Sequence, residues 1–129
     1  MESSSYTDKN GNQIYSCNAL GRSVSNASPL VYGGNTPAGI YSEYLYGPVS
    51  PRESYGPYKV VAMDGASGQI IQSGRSGIWI NGGRSQKTLS PTYGCIRVFE
   101  SDQKALQDKI QALIDSGTPS VGKIEIIQE

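Results

Sequence analysis

Hydrophobic and polar residues follow one another along most of this chain in short runs separated by turn residues, a pattern that predicts strands. The strongest run, Tyr58-Lys59-Val60-Val61-Ala62-Met63, predicts a strand that Asp64-Gly65 ends. Alternation over residues 14–20 predicts another, with Cys17 on one face beside Tyr15 and Ala19 as part of the core. Shorter strands are predicted at 39–42, 68–72 and 76–80, and in the last Ile78 and Ile80 face one way and Trp79 the other. Cys95-Ile96-Arg97-Val98 reads as a strand with Ile96 and Val98 on one face and Cys95 and Arg97 on the other. Lys123-Ile124-Glu125-Ile126 alternates cleanly and predicts a closing strand.

One stretch changes period. Leu106, Ile110, Leu113 and Ile114 recur at helical spacing and predict one main helix over about 102–116. Ser101 is the expected N-cap, Asp102 suits the positive first turn, and Gly117 with Pro119 beyond it predicts the stop. Residues 1–11 are polar and predict either a disordered start or a hairpin, with Lys9-Asn10-Gly11-Asn12 as the turn. Residues 21–57 are loop-rich, broken by Gly33-Gly34-Asn35, Gly47-Pro48 and Pro51. The expectation is a mostly β fold with one main helix, in a single domain over residues 1–129.

Composition narrows the function classes. A chain of 129 residues buries roughly two-thirds of its unfolded surface, enough for a core without staples. Eleven basic and eleven acidic residues leave no net charge, which argues against nucleic acid or an anionic membrane surface as partner. No apolar run reaches transmembrane length, so no membrane insertion is expected. The first residues lack the basic-then-apolar pattern of a secretory signal, so either a signal has been removed or export, if any, takes another route. Nine tyrosines against one phenylalanine suit a polar ligand groove and sheet faces equally well.

The candidate chemistry centres on Cys95. It enters a strand directly after Gly94, which lets the backbone approach a ligand closely, and it shares a face with Arg97. A guanidinium beside a thiol favours the thiolate, the form that attacks carbonyl carbon. The competing assignment is a small buried hydrophobe. Two cysteines allow at most one disulfide, and a nucleophilic Cys95 leaves Cys17 free, so no bridge is predicted.

Thr92-Tyr93-Gly94-Cys95-Ile96-Arg97-Val98 resembles the Ser/Thr-X-Gly-Cys-Ile/Leu-Arg signature of L,D-transpeptidase (YkuD-type) catalytic domains. Asn81-Gly82-Gly83, fourteen residues upstream of the cysteine, is similar to that family's His-Gly-Thr/Gly segment. Asn35-Thr36-Pro37-Ala38-Gly39-Ile40-Tyr41 is similar to its Thr-Pro-X-Gly-X-Tyr segment, so the likeness spans roughly residues 30–115. The resemblance implies a β-sandwich fold and an exported enzyme of the periplasm or cell wall that needs no metal or cofactor. Its substrates would be peptidoglycan stem peptides, cut after the third residue with loss of D-alanine and carried as a Cys95 thioester. An amine from a second stem would make a cross-link, and water would make the enzyme a carboxypeptidase.

By the same resemblance, Asn81 occupies the position of the general base and the Gly82 carbonyl the place that orients it. Backbone N–H groups of Gly94 and Cys95 would stabilise the oxyanion, and Arg97 would position the site or a substrate carboxylate. Thr92, Tyr93, Gly83 and Arg84 would line the substrate groove, and Arg84 and Arg75 could pair with a substrate carboxylate or simply be solvated. An insertion in the Tyr41–Tyr58 region, which holds Tyr44, Tyr46 and Tyr55 as well, often forms a lid in that family.

The chain departs from the family at its base, since it contains no histidine. An amide cannot accept a proton, and an unperturbed thiol near pKa 8.5 is only a few per cent ionised at pH 7, a deficit of about 2 kcal/mol. Lost acid–base help removes typically a further ~10²–10⁴-fold. Either Asn81 stands in for a native histidine, or the protein naturally lacks the base and is a non-catalytic peptidoglycan-binding relative. A third alternative is a type VI-like antibacterial effector of the same fold, countered by an immunity protein.

Overall fold

The structure, a computed structural model, describes residues 2–8, 10–117 and 122–128. Its elements run β1 (Glu2–Thr7), β2 (Gln13–Ala19), β3 (Gly39–Tyr46), α1 (Arg52–Tyr55), β4 (Val60–Ser67), α2 (Gln69–Ser73), β5 (Ile78–Asn81), β6 (Ile96–Arg97), α3 (Glu100–Asp115) and β7 (Lys123–Gln128). The chain is mostly β. Among the described residues, seven strands form one sheet in the order β2-β1-β7-β3-β4-β5-β6. Neighbours are antiparallel except β5 and β6, which run parallel. The two ends of the sheet then meet: Leu20 and Arg97 form an antiparallel bridge, with N–H···O bonds of 2.9 and 3.0 Å in the two directions. This leaves the sheet nearly closed and satisfies backbone groups that an open edge would expose.

The alternating pattern explains which faces turn inward. Tyr6 of β1, Tyr41 of β3, Val61 and Met63 of β4, Ile78 and Ile80 of β5, Ile96 of β6 and Ile124 and Ile126 of β7 share one buried cluster. α3 lies against β2, β3, β4 and β5 and adds Leu106 and Ile110 to that cluster. No helix among the described residues is long and apolar enough to cross a membrane.

Several expectations need correction. Residues 68–72 are not a strand: α2 is a short helix that buries Ile70 and leaves Ile71 exposed. Gly68, at φ +95°, turns the chain out of β4, and the Ile70 side chain fills the space left by the absent Cβ of Gly65. Burying one isoleucine, worth about 1.5–3 kcal/mol, outweighs the weak local preference of a five-residue segment. For the same reason β4 does not stop at Asp64-Gly65 but runs on to Ser67, with a register irregularity against Ile40 and Tyr41 of β3. The polar start is a hairpin, and β1 sits inside the sheet between β2 and β7. Its turn is held by Asp8, whose carboxylate accepts from the N–H groups of Asn10 and Asn12 at 2.9 Å each; Lys9 lies outside the described residues. The expected closing strand is β7, which lies within the sheet, paired with β1 and β3.

α3 begins at Glu100, and its N-cap is Phe99, so Ser101 does not cap it. Asp102 does stand in the first turn, as expected, and also accepts from the Tyr15 hydroxyl across to β2. Leu113 is half-buried while Ile114 is exposed, so the stripe is narrower than its spacing implied. The Gly117 N–H does bond back to the Ile114 carbonyl at 3.1 Å, and Pro119 is outside the described residues. The Tyr41–Tyr58 region begins as strand β3 through Tyr46, with Tyr41 buried and its hydroxyl donating to the Pro37 carbonyl, and continues through a loop into α1.

Cys17 faces the core from β2 and is free, as is Cys95. Burial, helped by the charge of Asp102, pushes the Cys17 thiol up to about 12. The unfolded chain ionises this thiol first as pH rises, so the stability contributed by keeping it neutral is intact below about 9 and is lost between about 9 and 12. Cys17→Ala is expected to flatten the fall of unfolding free energy across that window in urea titrations at successive pH values. An unchanged slope would assign the alkaline loss to other groups.

Candidate functional site

Three stretches that are distant in sequence meet at one end of the sheet. β5 delivers Asn81 and the Gly82-Gly83 turn, β6 pairs with it in register (Ile80 with Ile96, Asn81 with Arg97), and the loop before β6 carries Thr92 to Cys95. The segment around Thr36 completes the set, its hydroxyl donating to the Gly94 carbonyl at 3.1 Å. Cys95, Asn81, Arg97, Arg84, Thr92 and Tyr93 thus line one cleft of about 380 Å³, together with Val24, Ser54, Tyr55 and Pro91. A smaller concavity of about 220 Å³ reaches Cys95 from the other side, past Arg75, Gly77 and Tyr32, and Tyr93 stands between the two. Tyr93 is 85% exposed, so its ring is offered to solvent at this rim.

The cysteine loop is a built turn. Thr92 is buried, its Oγ1 donates to the Cys95 carbonyl, and the same oxygen accepts the Gly94 N–H at 3.2 Å. Gly94 has φ +124°, and a Cβ there would come within 2.7 Å of the Arg75 guanidinium. Any side chain would therefore be strained and crowded at this position. Two expectations change here. The Gly94 N–H is already taken and is not an oxyanion donor, and Thr92 shapes the turn instead of presenting its hydroxyl to a ligand.

Arg97 is 4% exposed and works as a clamp on loop carbonyls. Its Nε donates to Ser90 O at 2.8 Å, and its Nη1 donates to Ser54 O at 3.0 Å and to Gly82 O. Of the two roles expected of Arg97, these three bonds supply the positioning of the site; they engage Nε and Nη1 and leave the two Nη2 N–H groups for the cleft that Arg97 lines. The Gly82 carbonyl is likewise engaged by Arg97 and not by the side chain at position 81. Gly82 and Gly83 are buried and are not among the residues lining the cleft; a Cβ would meet Gln103 of α3 at Gly82 and the Glu53–Ser54 backbone of α1 at Gly83. Arg75 spans Pro29 O (2.8 Å), Asn35 O (2.7 Å) and Gly34 O (3.2 Å), so it too fastens a loop, on the side of the smaller concavity. Arg84 is the exposed guanidinium of the group, with φ +62°, its N–H on Glu53 O at 2.6 Å and Nη2 on Ser54 Oγ at 3.1 Å.

The thiol itself is half-buried. Its Sγ donates weakly to Gly77 O at 3.9 Å and accepts from the Trp79 backbone N–H. Burial pushes the Cys95 thiol above its ordinary value, and the Trp79 N–H with the guanidiniums of Arg75 and Arg97 offsets this only in part. The expected bias to thiolate is therefore reversed: desolvation of the charged form exceeds the attraction of partly screened guanidiniums. Asn81 is 2% exposed, and its Oδ1 is buried with no hydrogen-bond partner among the described residues.

The sequence did not mark Val24, Ser54 or Pro91 as cleft residues, and it placed Tyr55 only within the region of a lid. Val24 arrives because its N–H pairs with the Thr92 carbonyl at 2.8 Å, and Tyr55 because its ring packs on Trp79 with centroids 5.9 Å apart. Neither contact leaves a trace in residue spacing. Among the described residues, no group of three or more His, Cys, Asp or Glu could hold a metal ion. Compared with protein-family models, with curated proteins and with solved structures, the chain matches none.

Proposed function

We propose that this chain is a cysteine-dependent acyl transferase of L,D-transpeptidase type, acting on peptidoglycan stem peptides in the periplasm or cell wall and slowed by the lack of a base. The observation that carries the reading is the cleft in which Tyr93, Cys95 and Arg97, from the loop into β6 and β6 itself, meet Asn81 of β5 and Val24, Tyr55 and Arg84 from other segments. The cleft is open enough for an extended peptide, has a nucleophile half-exposed at its wall, and carries the Arg84 guanidinium at its edge for a carboxylate. The L,D-transpeptidase-like sandwich is the finer form of the mostly β fold that belongs with this proposal.

Incubation with tetrapeptide stems tests it. Intact-mass analysis is expected to show a slowly formed adduct on Cys95 with release of D-alanine, and Cys95→Ala is expected to abolish both. D-alanine release that survives Cys95→Ala, or the absence of any adduct in long incubations at alkaline pH, would refute the assignment.

One observation favours a second reading, a non-catalytic stem-peptide binder. The groups that act on the thiol are burial, one backbone N–H and two guanidiniums, and none of these accepts a proton. Saturable binding of stems with no adduct at any pH would select that alternative.

A further inference from the structure

We propose that Asn81 acts as a hydrogen-bond donor to the acyl oxygen, with its amide nitrogen and the Cys95 N–H forming the oxyanion site. The inference rests on the acyl-transfer reading of Cys95 above. Four observations lead to it. The Asn81 side chain lines the cleft, yet its Oδ1 is sealed inside the protein without a partner among the described residues. Its Nδ2 is not among the buried unpartnered atoms and makes no hydrogen bond to another described residue, so the nitrogen is the end of the amide that faces the cleft. The Gly94 N–H is consumed by Thr92, which removes one of the two backbone donors such a site would use. The Cys95 N–H makes no hydrogen bond to another described residue.

Register supplies the proximity. Asn81 pairs with Arg97 on the adjacent parallel strand, so it stands one strand spacing, about 4.8 Å, from the segment that Cys95 leads into. A buried amide with an orphaned oxygen lowers stability, and polar groups left in that state call for a functional explanation. Attack by the Cys95 thiolate forms an S–C bond while the carbonyl π pair moves onto oxygen. A donor aimed at that oxygen stabilises the charge as it develops, which an amide N–H can do without accepting any proton.

Two reagents separate this role from others. p-Nitrophenyl acetate acylates a thiolate through an oxyanion: the S–C bond forms, the intermediate collapses, and p-nitrophenolate leaves with the electron pair of the broken C–O bond. Iodoacetamide alkylates the same sulfur by displacing iodide at a saturated carbon, with no oxyanion. In both reactions solvent hydroxide at pH 9 takes the thiol proton. With the full chain, Asn81→Leu and Asn81→Ala are each expected to lower the rate of Cys95 acylation by about 10²-fold. Alkylation of Cys95 is expected to stay within about two-fold of the unsubstituted chain, because nothing in that step uses the amide.

Acylation unchanged in both variants overturns the inference. A parallel fall of acylation and alkylation overturns it too, since Asn81 would then act on the thiol or on the turn. Failure of both variants to fold gives Asn81 a structural role and has the same force. If the unsubstituted chain is alkylated at Cys95 but never acylated there, the acyl-transfer reading falls, and this inference with it.

Discussion

Replacing Arg97 with methionine is expected to lower the unfolding free energy by about 3–5 kcal/mol, a large share of what a domain of this size possesses. The guanidinium is buried and donates to three carbonyls, from Ser54, Gly82 and Ser90, which belong to α1, the turn after β5 and the loop before β6. Hydrogen bonds to a charged group contribute about 1.5–3 kcal/mol each, and they are not additive, so the estimate sits near the sum of two. Methionine keeps an apolar stem and volume but leaves the carbonyls without a donor in a site that water reaches poorly. Arg97→Lys is expected to recover little, because one ammonium on a flexible stem cannot reach the three carbonyls that Nε and Nη1 of the guanidinium hold at once. Urea unfolding with the slope held constant measures the loss. A cost under about 1 kcal/mol would mean that the loops are held by their own backbone bonds, such as Arg84 N–H to Glu53 O, and that Arg97 only lines the cleft. The backbone of Arg97 closes the sheet against Leu20 whatever its side chain, so the fold is expected to survive while the cleft loosens.

Under the proposed function, Asn81→His raises turnover of tetrapeptide stems at least about tenfold at neutral pH, within the ~10²–10⁴-fold that acid–base help typically contributes. The gain is placed at the low end for a geometric reason: the Gly82 carbonyl that would orient the imidazole already accepts from Arg97. The pH profiles carry the sharper contrast. The reactive species is the deprotonated thiol, and burial holds the Cys95 thiol above its ordinary value. The rate of the unsubstituted chain should therefore keep climbing as pH rises through the ordinary thiol range and beyond. With histidine present, an ion pair with the sulfur supplies thiolate at lower pH, and the profile should flatten toward neutrality. An intact Asn81→His protein whose rate and profile match those of the unsubstituted chain would remove Asn81 from the role of displaced base. The acylation and alkylation comparison would remain decisive for its role as donor.

The strands over 14–20, 76–80 and 123–126 and the long helix were legible because apolar residues recur in them at the period of the element, as Ile124 and Ile126 do in β7 and Leu106 and Ile110 in α3. Segment 68–72 was not legible, because Ile70 and Ile71 are adjacent and periodicity cannot distinguish a five-residue helix from a strand. The pocket beside Gly65 and Gly39 selected the helix, and only packing reveals it. Residues 2–7 illustrate the opposite limit. Their serines carry weak strand preference, yet they pair on both sides, with β2 and β7, because the neighbouring strands supply the hydrogen bonds.

The amino-acid order alone determined that a cysteine follows a glycine at the mouth of a strand, that an amide stands fourteen residues before it, and that no imidazole exists to serve it. These are covalent facts and do not depend on folding. Tertiary structure decided what those groups are able to do. It spent the Gly94 N–H on Thr92 and the Arg97 guanidinium on three carbonyls, turned the Asn81 oxygen inward, and raised the thiol by burial. Each outcome depends on which donor meets which acceptor, and on how much water is excluded, across segments that the sheet alone brings together.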